Sequence, residues 1–426
     1  MAAVGALAAE RLVPLHRNPL FLRFWSAQTV SVFGDQVSAL AIPLTAVVVL
    51  DASPFEVGLL AAMTWLPHLL FAVPAGVWID ARPHRRRMMI AADLSRAGAL
   101  ATLPIAYWLG GLTVWQLLAV TFAVGALTLC FDLASVSFVI ALVHRAQYVE
   151  AQGKTMTTRS VSYIAGPSIA GFLVQALSAP VALLADAGSF VFSALALRGT
   201  RVPEPDVEPP TEPARARLRE GFRFLFGSAL LRASLFCTST INFFNFILWA
   251  IFVLFASRTL GLSAGTIGIV LGIGAVGALI GAVIAPRVGR TIGIGRAVAV
   301  GAILFPVPLA LFPLAYGSHT AVAAMLLAGE FVSSIGVMIF DVNQNAVIAL
   351  TIPDSLRTRV FGAYRFVNYG TRPVGALLGG ALAGVIGVRE TLWISVIGSS
   401  LGVLFLVFSP MLGIREQDLV PEGAHA

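Results

Sequence analysis

Asp35 stands about 15 residues into an apolar stretch that begins near residue 20, roughly 22 Å along a helix and so near the middle of a bilayer. Gln28, Ser31, Asp35 and Ser38 follow one another at helical intervals and share one face. Glu330, Ser334, Asp341 and Asn345 make a second such face. An ionised acid in hydrocarbon is costly, so a carboxyl kept there is a functional candidate by default. Burial disfavours the charged form of a carboxyl, which lets it take up and release a proton. The chemistry expected of Asp35 and Glu330 is therefore proton coupling, with Gln28, Ser31, Ser38 and Ser334 as cavity-lining groups. The bland alternative for either acid is a hydrogen-bonded packing role. Asn242, Asn245 and Trp249 line a third face among many phenylalanines. Aromatic walls with a few polar groups suit bulky amphipathic ligands. The phenylalanines alone fit a lipid-facing helix; the asparagines tip the stripe towards a cavity.

These residues need helices to position them, and the composition says which kind. The chain has 426 residues, of which 58% are hydrophobic and 12% charged. A soluble domain could not hide that many apolar side chains. Apolar runs of about 20 residues instead read as membrane-spanning helices. Twelve are expected, near 20–49, 55–79, 88–109, 112–142, 156–177, 181–198, 231–256, 264–285, 297–316, 320–350, 361–387 and 391–412. The fold class is an all-α polytopic membrane protein. Cys130 and Cys237 both fall inside spans and offer no disulfide framework. The opening "MAAVGALAAERL" has no basic residue before its apolar stretch, so it is expected to stay on the chain rather than act as a signal peptide.

The connections sort by charge. "DASPFE", "LGGLT", "LSAP" and "YGSHT" hold no Lys or Arg, and only Arg258 and Arg389 lie in the other connections of that parity. The remaining connections hold the clusters: Arg82 to Arg87; Arg145, Lys154 and Arg159; the run from Arg198 to Arg232; Arg287, Arg290 and Arg296; and Arg357, Arg359 and Arg365. This alternation places both termini in the cytoplasm of a cell whose inner membrane the chain would cross. The formal charge of +7 is thereby assigned to loops facing anionic headgroups, not to nucleic acid. Residues 199–230 form the longest polar interruption and read as a cytoplasmic linker. Within it, Leu218, Phe222, Leu225 and Phe226 oppose Arg215, Arg219 and Arg223, as in a helix lying in the membrane surface. The expected organisation is a segment 1–19, a six-helix bundle 20–198, the linker, a second bundle 231–412 and a tail 413–426.

The halves repeat. "FDLASVSFVIAL" (131–142) matches "FDVNQNAVIAL" (340–350), "GVWIDARPHR" (76–85) matches "GAVIAPRVGR" (281–290), and Pro167 matches Pro373, all offset by about 205–209 positions. Two six-span halves in parallel repeat are the arrangement expected of major facilitator transporters, with a substrate site at mid-membrane between them. Asp132 and Asp341 are related by the repeat, which points to gating more than to substrate contact. Asp93 and Arg96, three apart, are expected to pair with each other or with the loop. Asp186 shares a face with Ser189 and Ser193 and is left unassigned.

At this point the residues resemble a known family. "GVWIDARPHRRR" (76–87) is similar to the signature between the second and third spans of the major facilitator superfamily: Gly76, Asp80 and Arg85 match, and His84 replaces a glycine. "AGPSIAG" (165–171), with Gly166, Pro167 and Gly171, resembles the Gly-Pro signature that marks antiporters there. "NPLFLRFWSAQTVSVFGDQVSALAIPL" (18–44) and "LRTRVFGAY" (356–364) look most like the branch of macrolide-efflux and enterobactin-export proteins. The resemblance implies that Asp80, with Arg82 and Arg85 beside it, latches the two halves on the cytoplasmic side, its partner being the start of the eleventh span near Arg357 or Arg359. Physically, Gly76 would let two helices approach closely, and Asp80 would be favoured near helix N–H groups; the bland reading is a topology signal. Two departures stand out. The span over 112–142 holds no basic residue where many drug antiporters carry an arginine, and Ala285 stands where the second copy of the loop signature should have its acid.

The expected function is proton-coupled export of small amphipathic molecules by a protein that works as a monomer, with no cofactor, no metal and no enzymatic chemistry. "GIGAVG" (272–277) lies inside an apolar span, and "YVEAQGKT" (148–155) has Tyr148 where a phosphate loop needs glycine, so neither is a nucleotide site. An uptake symporter, a polytopic membrane transferase, and a lipid-moving or sensor protein remain as alternatives.

Overall fold

The computed structural model describes residues 13–80, 82–200, 202, 214–353 and 356–414. The expected N-terminal segment up to residue 12, the proline-rich stretch of the linker, the tail from residue 415, and the side chains of Asp80, Arg215 and Leu218 lie outside the described residues.

Among the described residues the structure is all helix and turn, without strands. The first half comprises α1 (Pro19–Leu44, continued by a π turn Thr45–Val49), α2 (Pro54–Asp80), α3 (Arg85–Trp108), α4 (Val114–Leu142), α5 (Tyr148–Leu177) and α6 (Ala179–Arg198). The linker contributes α7 (Ala214–Gly227). The second half comprises α8 (Ala229–Leu254, continued by a π turn Phe255–Thr259), α9 (Ala264–Ile292), α10 (Ile294–Leu304), α11 (His319–Thr351), α12 (Arg357–Ile386) and α13 (Val388–Leu401). Twelve of these helices, α1–α6 and α8–α13, are membrane-crossing, so the start of α1 and the end of α13 lie on one face, called the terminal face; the opposite one is the far face.

Eleven of the described helices are long and apolar enough to cross a bilayer. The other membrane-crossing helix, α12, has the length but carries Arg365, Asn368, Tyr369 and Arg372 along one side. Two boundaries differ from the sequence reading for physical reasons. The ninth span, expected as one helix over 297–316, leaves α-helical geometry after Leu304 and goes on as a 3₁₀ turn at Val307–Leu311, because Pro306 and Pro308 supply no N–H to continue the ladder. The fifth, expected from residue 156, begins at Tyr148, since a helix whose first turns project past the bilayer tolerates Glu150 and Lys154, which pair at 3.7 Å.

Short connections are fixed by capping. Asn18 accepts from the N–H groups of Leu20 and Phe21 at 3.0 and 3.2 Å, with Pro19 opening α1. Ser53 and Glu56 form a reciprocal capping box before α2: the Ser53 N–H donates to Glu56 at 2.7 Å and the Glu56 N–H to the Ser53 hydroxyl at 3.3 Å. The main apolar core runs through both halves, with smaller clusters inside each; within the halves α1 packs on α5 and α6, α3 on α4 and α6, α8 on α12 and α13, and α9 and α10 on α11. The halves meet through α2 against α12 and α5 against α9. The amphipathic α7 does more than lie on lipid: Leu225 is fully buried, Phe222 meets Phe366 of α12 edge-on at 6.3 Å, and Glu220 forms an ion pair with Arg359.

Candidate functional site

Asp35 sits on α1 with charged neighbours from three other helices of its half: Asp186 of α6, Arg96 and Asp93 of α3, and Asp132 of α4. Gly34 makes that convergence possible. A methyl group there would lie 2.2 Å from the Ser189 hydroxyl and 2.4 Å from the Asp186 carboxylate, so only glycine lets α1 and α6 come this close. Asp186 is fully buried and accepts hydrogen bonds from Ser38 and, at 3.0 Å, from Ser189. Arg96, also buried, pairs with Asp93, donates to Thr128 at 3.2 Å, and is held between the rings of Phe131 and Phe190 at 4.6 and 4.0 Å. Asp132 faces Arg159 of α5 at 3.7 Å. Gln28 and Ser31 are buried on α1 towards the terminal face. The first half thus gathers four acids, Asp35, Asp93, Asp132 and Asp186, with two arginines, Arg96 and Arg159.

The second half holds a cavity of about 830 Å³. Its wall is built from α8 (Thr238, Asn242), α11 (Asp341, Gln344, Asn345) and α12 (Arg365, Asn368, Tyr369, Arg372), with Phe305, Phe340 and Phe361 as apolar surface. Gln344 ties the wall together through hydrogen bonds with Ser234 at 2.6 Å, Tyr364 at 2.6 Å and Thr238.

The α1 stripe of Gln28, Ser31, Asp35 and Ser38, expected to line a cavity, does not line this one, and only part of each of the other two stripes does. Asn242 does; Asn245, a turn deeper, is buried with its amide nitrogen unpartnered, and Trp249 packs against Phe252 and Phe312 at 5.1 and 6.4 Å. Asp341 and Asn345 line it, whereas Glu330, hydrogen-bonded to Ser334 at 3.2 Å, faces Gly274 of α9. The reason is common to both stripes: their far ends are covered by neighbours in the same half, Trp249 by Phe312 and Glu330 by α9. Glu330 keeps one carboxylate oxygen buried without a partner.

At the far face the two halves are packed together through glycines. A methyl on Gly58 of α2 would lie 2.6 Å from the Cα of Gly380 on α12, and one on Gly171 of α5 2.5 Å from the carbonyl of Ala264 on α9. Pro167 and Gly171 therefore lie at a seam between the halves, with a Ser168 hydroxyl donating to the Gly268 carbonyl at 3.4 Å, whereas Gly166 faces Gln36 of α1 in its own half. Arg258, in the π turn after α8, closes the far face by donating to the carbonyls of Ala52 and Val47 at 2.9 and 2.6 Å and pairing with Asp51 at 2.6 Å.

The loop signature lies on the terminal face. The close approach expected at Gly76 is not made: a methyl on Gly76, or on Gly362 of α12, would meet no described atom within 4 Å. The halves are packed at the far face instead, and that separates α2 from α12 here. Arg82 stacks on Trp78 at 4.1 Å, Arg85 is buried, Arg357 reaches the carbonyl of Ala349 at 3.4 Å, and Arg359 pairs with Glu220 of α7.

Sequence reasoning missed the groups where α2, α8 and α12 meet. Arg372 lies midway along α12 with its guanidinium carbon 4.3 Å from the ring centre of Trp65, 4.3 Å from Tyr369 and 5.0 Å from Phe246. His68 stacks beside Trp65 at 5.6 Å. The signal was present: Arg365, Asn368, Tyr369 and Arg372 repeat at helical spacing, and Arg372 lies too deep for a loop arginine.

Comparison with known proteins agrees with this architecture. The major facilitator family model described as transmembrane secretion effector matches residues 9–425. The multidrug efflux pump Tap of Mycolicibacterium fortuitum is 29% identical over 432 residues, covering 95% of this chain and 98% of that one. Macrolide efflux protein A of Streptococcus pyogenes is 25% identical over 185 residues, covering 43% and 45% of the two chains. Among solved structures, the nucleoside transporter NupG superposes with a TM-score of 0.71 at 12% identity, covering 91% of this chain and 99% of that one. A bacterial homologue of the iron transporter ferroportin, in its inward-facing state, gives 0.70 at 17% identity, covering 91% and 98%.

Proposed function

Because the chain belongs to the transmembrane secretion effector family of major facilitator transporters, we propose that it exports small amphipathic molecules, such as drugs or antibiotics, in exchange for protons. As a transporter of this family it is not an enzyme, which removes the transferase considered from the sequence. The observation that carries the export reading is the cavity of about 830 Å³, large enough for a drug-sized molecule and walled by amides, arginines and aromatic rings. The names of the relatives, a multidrug efflux pump and a macrolide efflux protein, support the same direction of transport.

The mechanism is alternating access. Substrate enters the cavity while the glycine seams and Arg258 hold the far face shut. The halves then rock, the seams part, and α2 closes on α12 at the terminal face, where Asp80 serves as latch. Protons taken up by Asp35, with Glu330 as second candidate, drive the return. The terminal face is the cytoplasmic one, the membrane is the inner membrane, and one chain is the working unit. The test is transport by the purified protein in proteoliposomes under an imposed pH gradient, with a panel of macrolides, siderophores and dyes. Movement of at least one compound against its gradient, collapsed by a protonophore, is the expected result. Transport that ignores the proton gradient overturns the coupling, and absence of any movement across the panel overturns the substrate reading.

A further inference from the structure

Arg372 is a cation in the middle of a membrane protein with no acid in ion-pair contact, although Asp341 of the same cavity wall acts on it electrostatically. None of the ion pairs among the described residues includes it, and its Nε is buried without a hydrogen-bond partner. Rings from three helices, Trp65, Phe246 and Tyr369, pack around the guanidinium. Stacked rings engage the faces of a guanidinium and leave its in-plane N–H fork as the edge that recognises carboxylates. Nearby, the Asn368 side-chain oxygen and the His68 Nδ1 are also buried without partners. Both Arg365 and Arg372 line the cavity, against Asp341 as its one acid among the lining residues, so its wall carries a net positive charge.

An arginine kept in the membrane interior marks a ligand path or a pairing site. Ring contacts alone are weak beside the cost of desolvating a full charge, so a guanidinium held this way is poised for an anion. We infer that Arg372 receives the anionic group of the transported molecule, and that this protein takes aromatic carboxylates, with the substrate's ring beside Tyr369 and Phe361. The inference rests on the reading of this cavity as the substrate site of an exporter and adds the charge of what it carries.

The test compares two ligands of nearly equal shape, 1-naphthaleneacetate and 1-naphthaleneacetamide, on the full-length protein in nanodiscs, followed by quenching of tryptophan fluorescence. The wild-type protein is expected to bind the carboxylate about tenfold more tightly than the amide or better, as a charge-assisted pair would give. Arg372→Gln should erase that preference by weakening the carboxylate about tenfold more than the amide, and Arg372→Lys should retain part of it. Equal binding of the two ligands by wild type overturns the inference without reference to any variant, and so does a preference that survives in Arg372→Gln. Transport assays separate this result from the export reading. Preference for the carboxylate without its movement in proteoliposomes leaves the anion site standing and removes the exporter. Export of neutral compounds by a protein with no such preference does the reverse.

Discussion

Arg96 and Asp93 are each about as buried as a charged side chain can be, and each is the other's counter-ion. Removing one member of such a pair leaves a bare charge in the interior, at a cost of about 3–5 kcal/mol. Arg96→Ala should therefore lower the thermal unfolding midpoint of the purified protein far more than Arg159→Ala, whose pair with Asp132 is about half exposed. Equal shifts for the two variants would contradict the buried-pair argument. Asp35 belongs to the same polar interior but forms no ion pair among the described residues, consistent with a group that exchanges a proton instead of anchoring a helix. Asp35→Asn should abolish export driven by a pH gradient while leaving substrate counterflow, because the amide keeps the shape and neutrality of the protonated acid. Asp35→Glu should retain partial activity over a shifted pH range. Full proton-driven export by Asp35→Asn would transfer the role to Glu330, for which Glu330→Gln is the matching variant.

At the scale of the helix, α2 and α12 run side by side with a readable register. Gly58 touches Gly380, Trp65 lies over Arg372, and Leu69 is the neighbour that a methyl on Gly370 would meet at 3.3 Å. Gly76 follows Gly58, and Gly380 follows Gly362, by the same interval of about five helical turns. Continuing the register brings Gly76 opposite Gly362 at the terminal face, where both now have space. The pair is expected to form a second seam when the far face opens. Gly58→Leu should hold the far seam apart, since even a methyl at this position comes within 2.6 Å of backbone. The expected outcome is loss of export, together with gain of cross-linking between cysteines placed at Gly76 and Gly362. Normal export by Gly58→Leu would show that this seam need not close. Arg258 can be divided in the same way. Its partner Asp51 is 93% exposed, and exposed pairs contribute about 0–1 kcal/mol. Asp51→Asn should thus change far-face accessibility much less than Arg258→Ala, which also releases the carbonyls of Val47 and Ala52.

The whole molecule is a two-fold pseudo-repeat carrying two different interiors. Pro167 and Pro373 occupy helices α5 and α12, and the π turns at Thr45–Val49 and Phe255–Thr259 end the first and seventh spans alike. Yet acids collect in the first half and the open polar cavity in the second. The topology that follows from the basic loops is checkable on the full chain. In a background lacking Cys130 and Cys237, cysteines at Ser53 and Ser318, both in far-face connections, should react with an impermeant thiol reagent added outside intact cells. Labelling only after lysis would invert the map.

Composition and run length determined that this chain crosses a membrane about twelve times, because nothing but a bilayer hides so much apolar surface. The internal matches around Asp132 and Asp341 determined the two halves, and helical spacing alone put Gln28, Ser31, Asp35 and Ser38 on one face. Those are local properties, legible along one helix. Which part of a stripe meets an open cavity is not local, since it depends on where the partner helices lie. Trp249 and Glu330 looked like cavity residues on their own helices and are closed in by Phe312 and by α9 of the same half. Trp65 and Arg372 stand on helices of different halves and meet only because α2 packs against α12. Periodicity assigns a face to a side chain; only packing decides what that face looks at.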